Sequence, residues 1–79
     1  DPMGAWLSSE IVRGTDLYIE KEKLYLAYTD VAEKQGWPGI ANNQFSRALK
    51  KVYPDLQDTQ RTIDGKRVRV WLGIDLRSD

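Results

Sequence analysis

The chain has 79 residues, and its 12 basic and 12 acidic side chains give a formal net charge of zero. A chain of this length forms one small domain with a thin core and little room for an enclosed substrate pocket. It contains no cysteine and no histidine, which excludes disulfides and the usual zinc sites, so we expect no metal and no cofactor. Phosphate-loop and nucleophile-elbow motifs are absent, so we predict that the isolated domain is not an enzyme.

The charges are unevenly distributed along the chain. Residues 1–40 carry four basic and seven acidic side chains, about minus three, whereas residues 41–79 carry eight basic and five acidic, about plus three. A basic half can bind a polyanion because the local field matters at contact distance, not the total charge. No run approaches the roughly 18 apolar residues of a membrane span, which predicts an intracellular protein that does not contact membrane. We interpret residues 1–4, "DPMG", as a tag or cloning remnant and residues 5–79 as a single domain.

The first half of the chain predicts two helices separated by a short extended segment. "AWLSSEIVRG", residues 5–14, has helical spacing with Gly14 as the expected stop, and "DLYI" then predicts a brief strand. "EKEKLYLAYTDVAEKQG", residues 20–36, predicts a longer helix that ends at Gly36. The apolar positions that recur at helical spacing in this second helix are Leu24, Ala27, Tyr28, Val31 and Ala32.

A third helix is predicted over residues 42–53, after a loop "WPGI" in which Pro38 prevents a helix from continuing. Asn42 is the expected N-cap. The predicted inner stripe comprises Phe45, Ala48, Leu49 and Val52. The predicted outer face comprises Asn43, Gln44, Arg47, Lys50 and Lys51.

This outer face contains no acidic residue, whereas a surface without a binding role usually carries interspersed positive and negative charges. Amide and guanidinium groups can hydrogen-bond base edges, and lysines more often bind phosphate. The face therefore predicts a DNA-recognition helix. The alternative is that it is only the polar outside of an amphipathic helix.

The Asp64-Gly65 pair predicts a two-residue type I′ turn in a β-hairpin, the wing, over residues 59–72. This turn pairs Ile63 with Lys66, Thr62 with Arg67, and Gln60 with Arg69. Alternation along the strands gives one apolar set, which we predict to face the core: Ile63, Val68, Val70 and Leu72. The set predicted to face outward is Gln60, Thr62, Arg67, Arg69 and Trp71.

The predicted outward face of the wing joins arginines to an aromatic ring. Guanidinium groups can bind phosphate while a ring packs against sugar or base. The wing residues predicted to bind DNA are Arg61, Lys66, Arg67, Arg69 and Trp71. Two alternatives remain open: the basic residues can instead protect the sheet edge from aggregation, and Trp71 can lie in the core if Gly73 breaks the alternation.

The order of helix, short strand, two helices and hairpin predicts an α+β winged helix, a helix-turn-helix with a small antiparallel sheet and a β-hairpin wing. "LYLAY" (24–28), "QFSRALKK" (44–51) and "DGKRVRVWLGIDLR" (64–77) resemble the C-terminal winged-helix domain of primase-helicases of viruses, phages and mobile elements, of the poxvirus and satellite-phage type. The resemblance implies a domain that holds duplex or forked DNA during replication, for a helicase and primase elsewhere in the parent chain. It also implies a location on DNA in a bacterial or infected host cell.

The segment "NNQFSRALKKVYPDLQDTQRTIDGKRVRVWLGI" also resembles the DNA-binding domain of the regulatory factor X family. The shared features are a Phe-led helix, an aromatic-Pro-x-Leu step and a basic wing ending in an aromatic residue and Gly-Ile. This resemblance implies a transcription-factor domain in which the wing reads the major groove. The family's Arg-Arg pair ahead of the wing appears here as Gln60-Arg61, and its aromatic-rich return strand is replaced by "VRVWL". A third hypothesis, favoured by the acidic N-terminal half, is a winged helix that binds a protein partner or forms oligomers.

Overall fold

A computed structural model describes residues 2–78. Its elements are α1 (Pro2–Glu10), β1 (Ile11–Glu20), α2 (Lys21–Gln35), α3 (Asn42–Val52), β2 (Gln57–Ile63) and β3 (Lys66–Leu76). Within residues 2–78, the strands form one antiparallel sheet in the order β1-β3-β2, with β3 in the centre. The predicted α+β winged-helix fold is confirmed.

The first helix and strand have different limits from those predicted. Helix α1 ends at Glu10, and β1 then runs through Gly14 and includes the predicted "DLYI" strand. Gly14 lies where the pairing between β1 and β3 is interrupted, between Arg13 and Tyr18. It is therefore part of a strand irregularity and not a helix stop, because Ile11 and the residues after it pair with the end of β3.

Residues 2–4, which we interpret from the sequence as part of a tag or cloning remnant, are helical in the structure. These residues form the first turn of α1, and Met3 is buried in the core with 7% of its surface exposed. Burial of an apolar side chain stabilises the fold, so this segment is structural. Their origin as a tag or cloning remnant stays a prediction, and Asp1 and Asp79 lie outside the described residues.

Helix α2 ends where the sequence predicted. Gly36 adopts the left-handed conformation, with φ of 71°, and donates a backbone hydrogen bond to the Glu33 carbonyl at 3.3 Å. The following Trp37 N–H bonds the Ala32 carbonyl at 2.8 Å. These two bonds satisfy carbonyl groups at the end of the helix, and glycine adopts the required φ without a steric penalty.

Helix α3 begins one residue earlier than its predicted cap implies. Ala41 is the N-cap, and Asn42 is already helical. The Gln44 side-chain oxygen Oε1 accepts the Ala41 N–H at 3.3 Å, so a residue in the first turn replaces the missing cap side chain. Phe45 and Leu49 are buried as predicted, but Val52 is 44% exposed and does not belong to the inner stripe.

The core is built around aromatic rings from all the helices. Tyr28 of α2 packs edge-on against Trp6 of α1, with ring centroids 5.3 Å apart, and lies 5.4 Å from the ring of Phe45 of α3. Tyr25 also contacts Phe45, and its hydroxyl donates a hydrogen bond to the Ile40 carbonyl at 2.7 Å. This bond ties the loop before α3 to α2 and fixes where α3 starts.

The hairpin has the predicted register but the opposite orientation. Asp64 and Gly65 both have positive φ, 52° and 78°, as a type I′ turn requires, and the predicted pairs are all present. Trp71 is only 1% exposed and packs in the core with Ile19, its partner on β1. The valines that alternate with Trp71 lie on the opposite face of the sheet, where Val70 is fully buried, as predicted, and Val68 is half-buried.

The orientation is reversed because alternation defines which residues share a face, but not which face meets the helices. A tryptophan ring removes more apolar surface from water than a valine does, so its burial is favoured. Gly73, with φ of 81°, breaks the alternation after Trp71 and allows Ile74 to join the same core. The alternative that placed Trp71 in the core is correct.

Replacing Trp71 with alanine should remove a central part of this core. We expect W71A to lower the free energy of unfolding by about 3–5 kcal/mol, because the side chain leaves a cavity in a small core. V52A, which truncates an exposed apolar residue, should change it by about 0.5 kcal/mol or less. Urea unfolding followed by far-UV circular dichroism measures both, and equal losses would contradict the assignment of Trp71 to the core.

Candidate nucleic-acid interface

An open cleft lies between the wing, the start of α3 and the start of α2. Its walls are formed by the side of the wing that carries Trp71 and by the exposed side of α3. The residues that line the cleft are Glu20, Lys21, Glu22, Asn42, Asn43, Ser46, Arg67, Val68 and Arg69.

Helix α3 presents its predicted polar face to solvent, and all five of the predicted residues are exposed. Asn43 lines the cleft together with Ser46, one turn further along. Lys50, another turn on, extends its ammonium group to 5.8 Å from the centre of the Trp71 ring. Gln44, Arg47 and Lys51 lie beside this row, outside the cleft lining.

The wing divides its predicted DNA-binding residues between two faces. Arg67 and Arg69 line the cleft, and both are exposed. Arg61 pairs with Val68 in the sheet and lies over the ring of Tyr18, with its guanidinium carbon 4.5 Å from the ring centre. Lys66 alternates with Arg67, so it shares the outer face with Arg61. The structure thus brings Arg67 and Arg69 close to α3, but not Arg61 and Lys66.

Trp71 does not offer its ring to a ligand, because it is 1% exposed. This corrects its prediction as a DNA-facing residue. Its ring instead supports two ammonium groups, with Lys21 Nζ 4.1 Å and Lys50 Nζ 5.8 Å from the ring centre. Cation–π attraction favours a lysine in this position. Through these two contacts Trp71, near the end of the wing, connects the start of α2 with the last turns of α3.

Asp58, on β2, connects the charged groups at the edge of the cleft. Its Oδ2 atom lies 2.7 Å from Lys21 Nζ and accepts a hydrogen bond from Arg69 Nη2 at 2.9 Å. The hydrogen bonds from Lys21 and Arg69 lower the pKa of Asp58 from 3.8 to about 2, against the opposing effect of burial. Asp58 is therefore ionised at neutral pH.

Sequence reasoning missed several residues of the cleft. Ser46 could have been found from the helical period, since it lies one turn from Asn43. Lys21 and the neighbouring acidic residues, Glu20 and Glu22, reach the cleft only because α2 starts beside the wing. No local signal in the sequence indicates this proximity.

The low pKa of Asp58 predicts a specific loss of stability in acid. The unfolded chain binds this proton at the ordinary pKa of 3.8 and the folded chain only at about 2, so the contribution is complete above about pH 5 and is lost progressively as the pH falls through 3.8 towards 2. We expect the contribution to be at most about 2 kcal/mol. Urea unfolding of the wild-type chain and of D58N between pH 2 and 6 should give free energies that converge in acid. Parallel curves would contradict the prediction.

Comparison with known protein families agrees with this geometry. Residues 2–77 match the RFX DNA-binding domain, which is the domain of the regulatory factor X family. No curated protein sequence matches the chain. Within residues 2–78, no helix is long and apolar enough to cross a membrane. The comparison confirms the resemblance to the regulatory factor X family and gives no support to a primase-helicase origin. The chain belongs to the RFX DNA-binding domain family and is a DNA-binding winged-helix module.

Proposed function

We propose that the domain binds duplex DNA through the cleft between α3 and the wing. The observation that carries this proposal is that Arg67 and Arg69 of the wing line the same open space as Asn43 and Ser46 of α3. Two elements distant in sequence thus offer hydrogen-bond donors to one ligand. The exposed face of α3, residues 42–52, adds positive charge and carries no acidic residue.

Each element has a chemically suitable role. The guanidinium groups of Arg67 and Arg69 can bind phosphate or the O6 and N7 atoms of guanine, and Asn43 can bind adenine. Arg47, Lys50 and Lys51, together with Gln44, follow the outside of α3, where they can bind the phosphates of one strand.

The distribution of cations on the wing supports its insertion into a groove of the duplex. Arg67 and Arg69 lie on one face, and Arg61 and Lys66 lie on the other. A groove has a phosphate backbone on each side, so a hairpin with cations on both faces can be attracted to both strands at once. This arrangement supports wing insertion more than contact by α3 alone.

The identity of the parent protein is a separate proposal. A replicative primase-helicase that holds origin or template DNA through this domain, as the motifs "LYLAY" and "QFSRALKK" predicted, stays a prediction. A transcription factor of the regulatory factor X kind would use the same surface, and the family match is consistent with it. Strong preference for one duplex sequence favours the transcription factor, whereas preference for a fork favours the replication protein. In both cases the domain acts on DNA inside a cell.

A protein partner is the second candidate function. It is favoured by a second groove, on the side of β1, whose charged lining residues are Asp16, Glu20, Lys23 and Asp75, beside the 39% exposed Tyr18. Glu20 also lines the first cleft, but this groove has a net negative charge and no arginine in its lining. Carboxylates at that surface would repel DNA, so a basic protein surface is the more suitable ligand. A stable complex without nucleic acid in size-exclusion chromatography, combined with no DNA binding at low salt, would favour this function.

The proposed interface predicts a steep dependence of DNA affinity on salt. Neutralising about four to six phosphates gives a slope of log K against log salt of roughly −4 to −5 for duplex DNA. The R67A/R69A double variant should bind at least about tenfold more weakly, and its slope should be shallower by about two. Fluorescence anisotropy with duplex, forked and single-stranded probes at several salt concentrations measures these values.

The matched control is R13A/K34A, which removes two cations outside the cleft. Arg13 and Lys34 form exposed ion pairs with Asp55 and Asp30, so their loss should affect stability little. This control should keep a slope close to that of the wild-type chain. Salt-independent binding, or equal slopes for R67A/R69A and the wild-type chain, would contradict the proposed interface.

A further inference from the structure

Asp58 and its two partners differ sharply in their exposure. The side chains of Asp58 and Lys21 are each 22% exposed, whereas that of Arg69 is 60% exposed. Both cations contact the same oxygen, Oδ2. Asp58 and Lys21 are therefore mostly buried, and Arg69 extends from its contact with Asp58 into the cleft.

The charges in this group leave Arg69 available to an anion. Lys21 contributes one positive charge and Asp58 one negative charge, so these two neutralise each other. Lys21 is also held over the Trp71 ring at 4.1 Å, which fixes its ammonium group on the core side. Asp58 can thus hold Arg69 while the three groups together keep one net positive charge for a ligand.

The shape of arginine allows it to be held and to bind at the same time. Its guanidinium group carries five N–H donors in a rigid plane, and the contact with Asp58 uses Nη2. The second hydrogen of Nη2, paired with a donor on Nη1 or on Nε, can then meet a phosphate or a guanine edge. A lysine ammonium has three donors on one nitrogen, so it cannot offer a ligand a fixed pair of parallel N–H groups while it is held by Asp58. Within residues 2–78, no ion pair holds Arg67.

We propose, on the basis of the proposed function, that Asp58 is a positioning residue for Arg69 in DNA binding. It fixes one edge of the guanidinium group so that the other edge faces the DNA, and Lys21, held on the Trp71 ring, supplies the compensating charge. Fixing the side chain before binding lowers the entropy that is lost when the contact forms. Arg69 thus binds as a prearranged group, whereas Arg67 must become ordered on binding.

A double-mutant cycle of D58N and R69A tests this role. R69A should weaken duplex binding about tenfold in the wild-type background and about twofold or less in the D58N background, because an unheld Arg69 contributes less. The measurement is fluorescence anisotropy with a duplex probe at one fixed salt concentration. Circular dichroism at the same temperature verifies that each variant is folded.

R67A provides the control for the general effect of charge. It should cost the same factor in both backgrounds, since Asp58 does not hold Arg67. A loss from R69A that is equal in the two backgrounds, or larger in D58N, would overturn the proposal, and the larger loss would mean that Asp58 restrains Arg69 from binding. An equally strong coupling of D58N with R67A would overturn it as well.

R69K tests the proposal without altering Asp58, which is important if D58N does not fold. A lysine keeps the charge but not the planar pair of donors, so R69K should bind more weakly than the wild-type chain. Wild-type affinity in R69K would overturn the proposal. The proposed function is tested separately by the salt slope of the wild-type chain. If R69A has no effect in either background, the role of Asp58 fails, while a steep slope and a loss in R67A still support the interface.

Discussion

Burial of Trp71 is the constraint on which the orientation of the wing depends. The ring lies on the central strand with 1% of its surface exposed, beside Ile19 of β1 and beneath the ammonium groups of Lys21 and Lys50. Side chains two and four positions before it share its face of the sheet, and these are Arg69 and Arg67. By turning Trp71 towards the helices, the core also turns both arginines towards α3. The burial of Trp71, which stabilises the fold, therefore also places the two arginines in the lining of the cleft.

The charge of the cleft is set by residues that are distant in sequence. It therefore does not follow from the acidic first half and the basic second half of the chain. Lys21 comes from the acidic half and Asp58 from the basic half, yet they pair at 2.7 Å. Glu20 and Glu22 also reach the rim, so the positive surface is limited to α3 and the wing. A neutral protein can bind DNA in this way because a ligand at contact distance interacts mainly with charges closer than the screening length, roughly 8 Å at physiological salt.

Two glycines show where sequence patterns predict structure and where they fail. Gly36 and Gly14 each follow an apparently helical segment, but Gly36 ends a helix and Gly14 lies in an irregular strand. Helix α2 has a long apolar stripe and a local hydrogen-bonded end, so its limits depend on near neighbours. The segment after Glu10 instead pairs with β3, more than 60 residues away in sequence, and that pairing overrides the local pattern. The exposed polar side of α3 was likewise predictable, because an amphipathic helix separates its polar and apolar sides.

The sequence by itself determined the winged-helix order, the amphipathic α3 and the hairpin register, because helical period and the Asp64-Gly65 turn act over a few residues. It also determined which residues share a face of β3. Only the tertiary structure decided which face meets the helices, since this depends on packing the large Trp71 ring against the helices while Val70 is buried on the opposite face. It alone placed Lys21 and Asp58 beside Arg69 as well, because contacts between α2, β2 and β3 join segments that no local pattern relates.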